Sequence, residues 1–211
     1  MQGTQVRAHK VVLAWRAALF QLASIESTEI SGISLKLFRD LINYAYSGDV
    51  PIGYDDLEAV LSLLKASNRF ACTDLKMELE VNGVEKFLDK GNAIKLLLFA
   101  DSHSCALLTE SATKLICRNG AEIMASLDWK LMMESPDVQS ILLRHMFSSS
   151  SCSLDRVATS RYDRADVSSL RKRLTAEGKD VDGTREILVR RCKKLRKRWS
   201  PRSLALSLIH I

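Results

Sequence analysis

The chain reads as mostly α-helical, with a small sheet near its start and a helix-turn-helix hairpin near its end. Three observations predict this. Apolar residues recur at helical spacing through most of the first 147 positions, strand-like runs are confined to the opening segments, and the charge changes sign late in the chain. Residues 1–154 carry 15 Lys+Arg against 18 Asp+Glu, whereas 155–211 carry 16 against 7, so a net −3 body is followed by a net +9 block within an overall charge of +6. With 211 residues and 46% hydrophobic content, the chain can bury one full core plus a small appendage, or two small cores.

"VRAHKVVLAWRAALFQLAS" starts like the end of a strand and continues as short helices anchored by Val12, Leu13, Leu19 and Phe20. In "STEISGISLKLFRDLINYAYSGDV" a short strand precedes a helix from about Ser34. Its Leu37, Leu41, Tyr44 and Ala45 fall on one face, and Gly48 marks its end. "YDDLEAVLSLLKASNRF" repeats the pattern with Leu57, Val60, Leu61 and Leu64, and with Asp55 or Asp56 as the cap. Further helices are expected in "CTDLKMELEVNGVEKFL", "GNAIKLLLFADSHS", "CALLTESATKLICRN" and "VQSILLRHMF".

"SSSSCS" breaks the periodicity, and 148–154 is expected to be a linker. Beyond it lie two helical patterns: Val167, Leu170 and Leu174, then Leu188, Cys192 and Leu195. Gly178 and Gly183 bracket the turn between them, so 155–199 is expected to form a hairpin with a very small core.

Little in the sequence points to catalysis. "DSHS", Asp101 to Ser104, holds Ser, His and Asp, but adjacent residues on one short segment cannot set an imidazole between an orienting carboxylate and a nucleophile. His9 is expected to be a structural, hydrogen-bonding histidine. A Gly-rich phosphate loop, H-E-x-x-H and zinc-type Cys/His spacing are absent, so no catalytic residue, metal or cofactor is implied. Five scattered cysteines read as free thiols, with Cys72, Cys105 and Cys117 expected to pack in the core. Trp15 and Trp129 read as packing residues, and Trp199 beside the basic run as a residue able to stack on a base. A secretory leader is not expected at the amino end, and no apolar run nears the roughly 20 residues of a membrane helix.

The ordered motifs "VRAHKVVLA", "EISGISLKLFRDLINYAYSGDV" and "LEAVLSLLKASNRFACTDLKMELE" resemble a BTB/POZ domain, here 1–83. The continuation "NAIKLLLFADSHSCALLTESATKLICRNGAEIMASLDWKLMMESPDV" is similar to the BACK-type helical extension of the MATH-BTB group, here 84–147. The resemblance implies an α+β domain that forms a homodimer and bridges substrates to the cullin scaffold of a RING ubiquitin ligase, and not an enzyme. The family's first helix and strand are expected to be missing, and Ala17-Ala18 stands where the family has Ser-Pro. Leu22, Ile25 and Glu26 are the approximate counterparts of the family's apolar-x-Glu cullin contact. No substrate-reading MATH domain is seen.

"DVSSLRKRLTAEGKDVDGTREILVRRCKKL" resembles a SAP motif, with Val167, Leu170, Leu174, Gly178, Gly183, Arg185, Leu188 and Arg191 on its positions. That implies contact with DNA or RNA and a nuclear location, with the cytoplasm as a second compartment. Independently of the name, Arg171, Lys172, Arg173, Lys179, Arg185, Arg190, Arg191, Lys193 and Lys194 leave the apolar positions free and so populate exposed faces. The second helix begins near Gly183, where its first N–H groups and Arg185 are expected to meet a phosphate. The competing readings are a solvated basic helix or an import signal in "RRCKKLRKR".

The expected role is therefore a ligase adaptor with a nucleic-acid module; the alternative is a chromatin or transcription-associated BTB scaffold with no ligase role. The tail 200–211 ends in "LSLIHI", which resembles one reading frame of a sequencing-library adaptor and is expected not to be native.

Overall fold

The computed structural model describes residues 6–9, 12–13, 30–51, 54–149 and 162–198, with the side chains of 147–149 and 196–198 outside that description. The chain divides into two compact units, Met1–Leu88 and Asp89–Ile211.

In the first unit, α1 spans Leu35–Ser47. Ser34 Oγ accepts from Leu37 N at 3.3 Å to open it. Gly48 closes it in the left-handed region at φ +82°, donating its N–H to Tyr44 O at 2.8 Å. Leu41, Tyr44 and Ala45 are the buried face, as the spacing predicts. α2, Leu57–Arg69, is capped by Asp56, which accepts from Ala59 N at 2.8 Å. Its buried stripe runs through Val60, Leu63, Leu64 and Ser67, one position round from the expected Leu57 and Leu61. Arg69 donates to the carbonyls of Ser31 and Gly32 at 2.6 and 3.2 Å, tying the segment before α1 to the end of α2.

The next stretch, expected as one helix, is three pieces: α3, Thr73–Glu78, a π-helical turn over Leu79–Val84, and a 3₁₀ turn over Glu85–Phe87. The widened turn carries Gly83 against α2, where a Cβ would lie 2.9 Å from Val60 Cγ1, and no larger residue fits without displacement. Lys76, 1% exposed, donates to Asn68 Oδ1 at 2.9 Å, one of the hydrogen bonds that a buried cation requires. His9 is hydrogen-bonded to Tyr46, the tyrosine hydroxyl lying 2.7 Å from its backbone N and 2.8 Å from Nδ1. No strand occurs among the described residues, and the segments expected to form the small sheet lie largely outside them.

The second unit contains α4 (Ala93–Ser102), α5 (Ala106–Arg118), α6 (Gly120–Met124), α7 (Trp129–Met133), α8 (Pro136–Ser149), α9 (Val167–Ala176) and α10 (Arg185–Arg198). α4 buries Ala93, Ile94, Leu96, Leu97 and Ala100, more than one stripe of its surface, and so is central. It packs along α5, whose Ala106, Leu108, Ala112, Thr113 and Ile116 are buried. The turn between them is tight: Ser104 adopts φ +55° and Cys105 N donates to Ala100 O at 2.8 Å. The short helices α6 and α7 fill a stretch with no helical pattern in its residues, contributing Ile123 and Met132 to the interior. α8 continues through Ser149, so the first two residues of the expected linker are helical; the rest of it lies outside the described residues.

α9 and α10 pack against each other as a pair. Their core joins Val167, Leu170, Leu174, Leu188, Val189, Cys192 and Leu195 with Tyr162 and, from α5, Ala106. Asp166 caps α9 by accepting from Ser169 N at 3.3 Å. Gly178, at φ +59°, ends it in a Schellman arrangement, with Lys179 N donating to Leu174 O at 2.9 Å and Gly178 N to Thr175 O at 3.0 Å.

Candidate functional site

The ten residues expected to meet nucleic acid all lie on the α9–α10 hairpin, and the structure sorts them by what they touch. Arg185 turns inward: its Nη2 donates to the carbonyls of Asp163 and Ala165 at 2.7 and 3.0 Å, holding the approach to α9 against the start of α10. Arg191 spans the turn, donating to the carbonyls of Asp180 and Asp182 and pairing with the Asp180 carboxylate at 2.5 Å. Both are staples of the hairpin. Gly183, at φ +117°, forms a parallel bridge with Cys105 of the α4–α5 turn, and its N–H donates to Asp182 Oδ1 at 2.8 Å.

Lys193 pairs with Asp163 at 2.7 Å, and Arg173 with Glu177 at 3.7 Å one turn on. Arg171 is half-buried. Lys172, Lys179, Arg190 and Lys194 are exposed and have no side-chain partner among the described residues.

The hairpin is seated on α5 by contacts that sequence reading missed. Glu110 Oε2 accepts from Val167 N, the first amide of α9, at 2.8 Å, while its Oε1 meets Lys114 at 2.7 Å. A carboxylate at a helix start satisfies an orphan N–H and complements the helix dipole. Arg144 of α8 pairs with Glu186 of α10 at 2.6 Å. The local signal for either partner is nil, because Glu110 and Val167 lie 57 residues apart.

Charge in this unit also acts on Asp101, whose carboxyl is raised above the usual range by burial and then by Asp137 and Glu186. His145 is lowered by burial and by Lys114 and Arg185, with Glu110 opposing, and so favours neutral imidazole. Its Nδ1 lies 3.7 Å from Cys117 Sγ. That thiol is exposed, unlike the buried position expected for it: at about 100° per residue Cys117 falls past Thr113, at the margin of the buried face of α5 and away from Ile116. Cys72 and Cys105 are buried as expected. "DSHS" forms the end of α4 and its turn, where the His103 ring packs edge-on against Phe99 at 4.4 Å. Among the described residues no cluster of three or more His, Cys, Asp or Glu is placed to hold a metal, and no helix is long and apolar enough to cross a membrane. The expected cullin-contact residues Leu22, Ile25 and Glu26 lie outside the described residues, as does Trp199.

Residues 1–87 match the BTB/POZ domain family, and this part of the chain is a BTB/POZ domain. Among curated proteins, the chain is similar to TD and POZ domain-containing protein 2 of Mus musculus, 29% identical over 142 residues that cover 63% of this chain and 38% of that protein. TD and POZ domain-containing protein 4 of Mus musculus is 30% identical over 142 residues, with the same coverage. Kelch-like protein 28 of Homo sapiens is 34% identical over 125 residues, covering 54% of this chain and 21% of that protein. The chain thus spans about two-fifths, or less, of the relatives it matches. Since 63% of the chain exceeds the 87 residues of the BTB/POZ match, the likeness to the TD and POZ proteins continues into the second unit.

Proposed function

We propose that this chain, whose first 87 residues are a BTB/POZ domain, is a non-catalytic adaptor that pairs with a second copy, engages the cullin scaffold of a RING ubiquitin ligase and holds nucleic acid on its basic hairpin. The observation that carries the adaptor half is the BTB/POZ match together with its Kelch-like and TD and POZ relatives. Helical bodies with apolar stripes offer surfaces for partners more readily than reaction pockets. The nucleic-acid half rests on the net +9 of residues 155–211 and on exposed cations of the hairpin. Together they suit a nuclear protein that recruits a ligase to chromatin-bound substrates.

Calorimetric titration of the full chain with the amino-terminal half of the BTB-binding cullin tests the first half. Saturable binding that weakens in Leu22→Asp with Ile25→Asp is expected; a folded, dimeric chain that gives no heat of binding would sink the ligase role. The second reading, a chromatin scaffold without a ligase, is favoured by the loose apolar-x-Glu counterpart at Leu22, Ile25 and Glu26. It predicts DNA binding that persists with no cullin affinity at all.

A further inference from the structure

We infer that nucleic acid is held along the outer face of α10 by Arg190 and Lys194, and not at the amino-terminal end of that helix; this rests on the nucleic-acid reading above. A helix start attracts phosphate only where its first N–H groups face solvent. Here the approach to α10 is crowded: Gly183, two residues before the helix, is bridged to Cys105, and the Asp182 carboxylate lies beside it, accepting the Gly183 N–H. Arg185, the cation expected to assist, is committed to two carbonyls, and the first turn carries Glu186, itself drawn to Arg144. A phosphate arriving there would meet the carboxylates of Asp182 and Glu186 and an Arg185 guanidinium already engaged.

Lys179 lies in the turn, and the cations on the two helices with no partner among the described residues face two ways. At about 100° per residue, Arg190 and Lys194 stand opposite the buried Leu188, Cys192 and Leu195 of α10. Lys172 stands opposite the buried Val167, Leu170 and Leu174 of α9. Because the two helices pack through those buried residues, their outer faces diverge. The α10 face is favoured. It carries two exposed cations with no partner among the described residues, about 6 Å apart along the axis. That rise is comparable with the roughly 6.8 Å spanned by two phosphate steps of one DNA strand. On α9 the exposed Lys172 is flanked by Arg173, already paired with Glu177.

The test is fluorescence anisotropy of the full chain with a 20-base-pair duplex across a salt series, with far-UV circular dichroism on each variant. Arg190→Gln with Lys194→Gln removes two phosphate contacts. Affinity at 0.1 M salt is expected to fall about 60-fold, and the slope of log K against log salt to become shallower by about 1.8. Lys172→Gln is expected to stay within about twofold of the parent. If the double variant keeps its helicity and binds like the parent, or if Lys172→Gln weakens binding more, the assignment to α10 is overturned while the nucleic-acid reading survives. Tighter binding to the matching single strand than to the duplex overturns the duplex geometry. A parent chain that binds neither at low salt overturns the nucleic-acid reading, and the assignment with it.

Discussion

Replacing Glu110 by alanine should loosen the hairpin from 57 residues away. Val167 is fully buried, so without the Glu110 carboxylate its N–H is left with neither a protein acceptor nor water. Loss of a hydrogen bond to a charged acceptor, with a buried donor left unmade, costs about 1.5–3 kcal/mol. The i,i+4 pair with Lys114 adds about 0.3–0.5 kcal/mol and is screened by salt, since the Lys114 side chain is half exposed. A total near 2 kcal/mol corresponds to about 30-fold faster exchange of amides that open with the hairpin. Hydrogen exchange followed by mass spectrometry on peptides from α9 and α10 measures this directly. Glu110→Gln keeps an acceptor in place and should cost about half as much in free energy, whereas Lys114→Ala should change exchange less than about threefold. Unchanged protection of α9 in Glu110→Ala would refute the idea that α5 caps the hairpin.

Three further outcomes follow from other parts of the fold. Gly83→Ala places a Cβ 2.9 Å from Cγ1 of the buried, β-branched Val60, so the first unit should lose about 1–3 kcal/mol; an unchanged melting temperature would mean the approach is looser than described. The raised carboxyl of Asp101 contributes stability below its unfolded pKa that is lost as pH rises through its folded value. Asp101→Asn should therefore raise the melting temperature at pH 7, with the gain vanishing near pH 3; equal gains at both pH values would rule out charge as the cause. In a brief thiol-labelling experiment on the native chain, Cys117 should react well before Cys105, Cys192 and Cys72, whose thiol is pushed up to about 11 by burial and by Asp74. Labelling of Cys72 at a comparable rate would contradict the packing of the first unit.

Much of the helical framework was legible in advance because its signals are short-range. Ser34 and Gly48 bracket α1 as their capping chemistry requires, Asp56 opens α2, and Gly178 closes α9. The stretch after Cys72 reads as a single helix, since nothing local announces that Gly83 must approach Val60. α6 and α7 carry no such signal because five-residue helices are too short for a period to register. The candidate site was legible as a place and only partly as a set of residues. Its core positions followed from spacing, but Arg185, Arg191 and Arg190 look alike in a sequence.

By itself the sequence determined the BTB/POZ stretch, the places of the longer helices and the apolar seam that joins α9 to α10. These depend on patterns that repeat within a few residues. Tertiary structure alone decided which cations lack a partner among the described residues, that Glu110 and Arg144 seat the hairpin on α5 and α8, and that Cys117 faces solvent. A guanidinium's availability depends on whether a carbonyl lies within reach, and the carbonyls that hold Arg185 come from 20 and 22 positions earlier. Such partners are fixed by how the chain packs, and no local period encodes them.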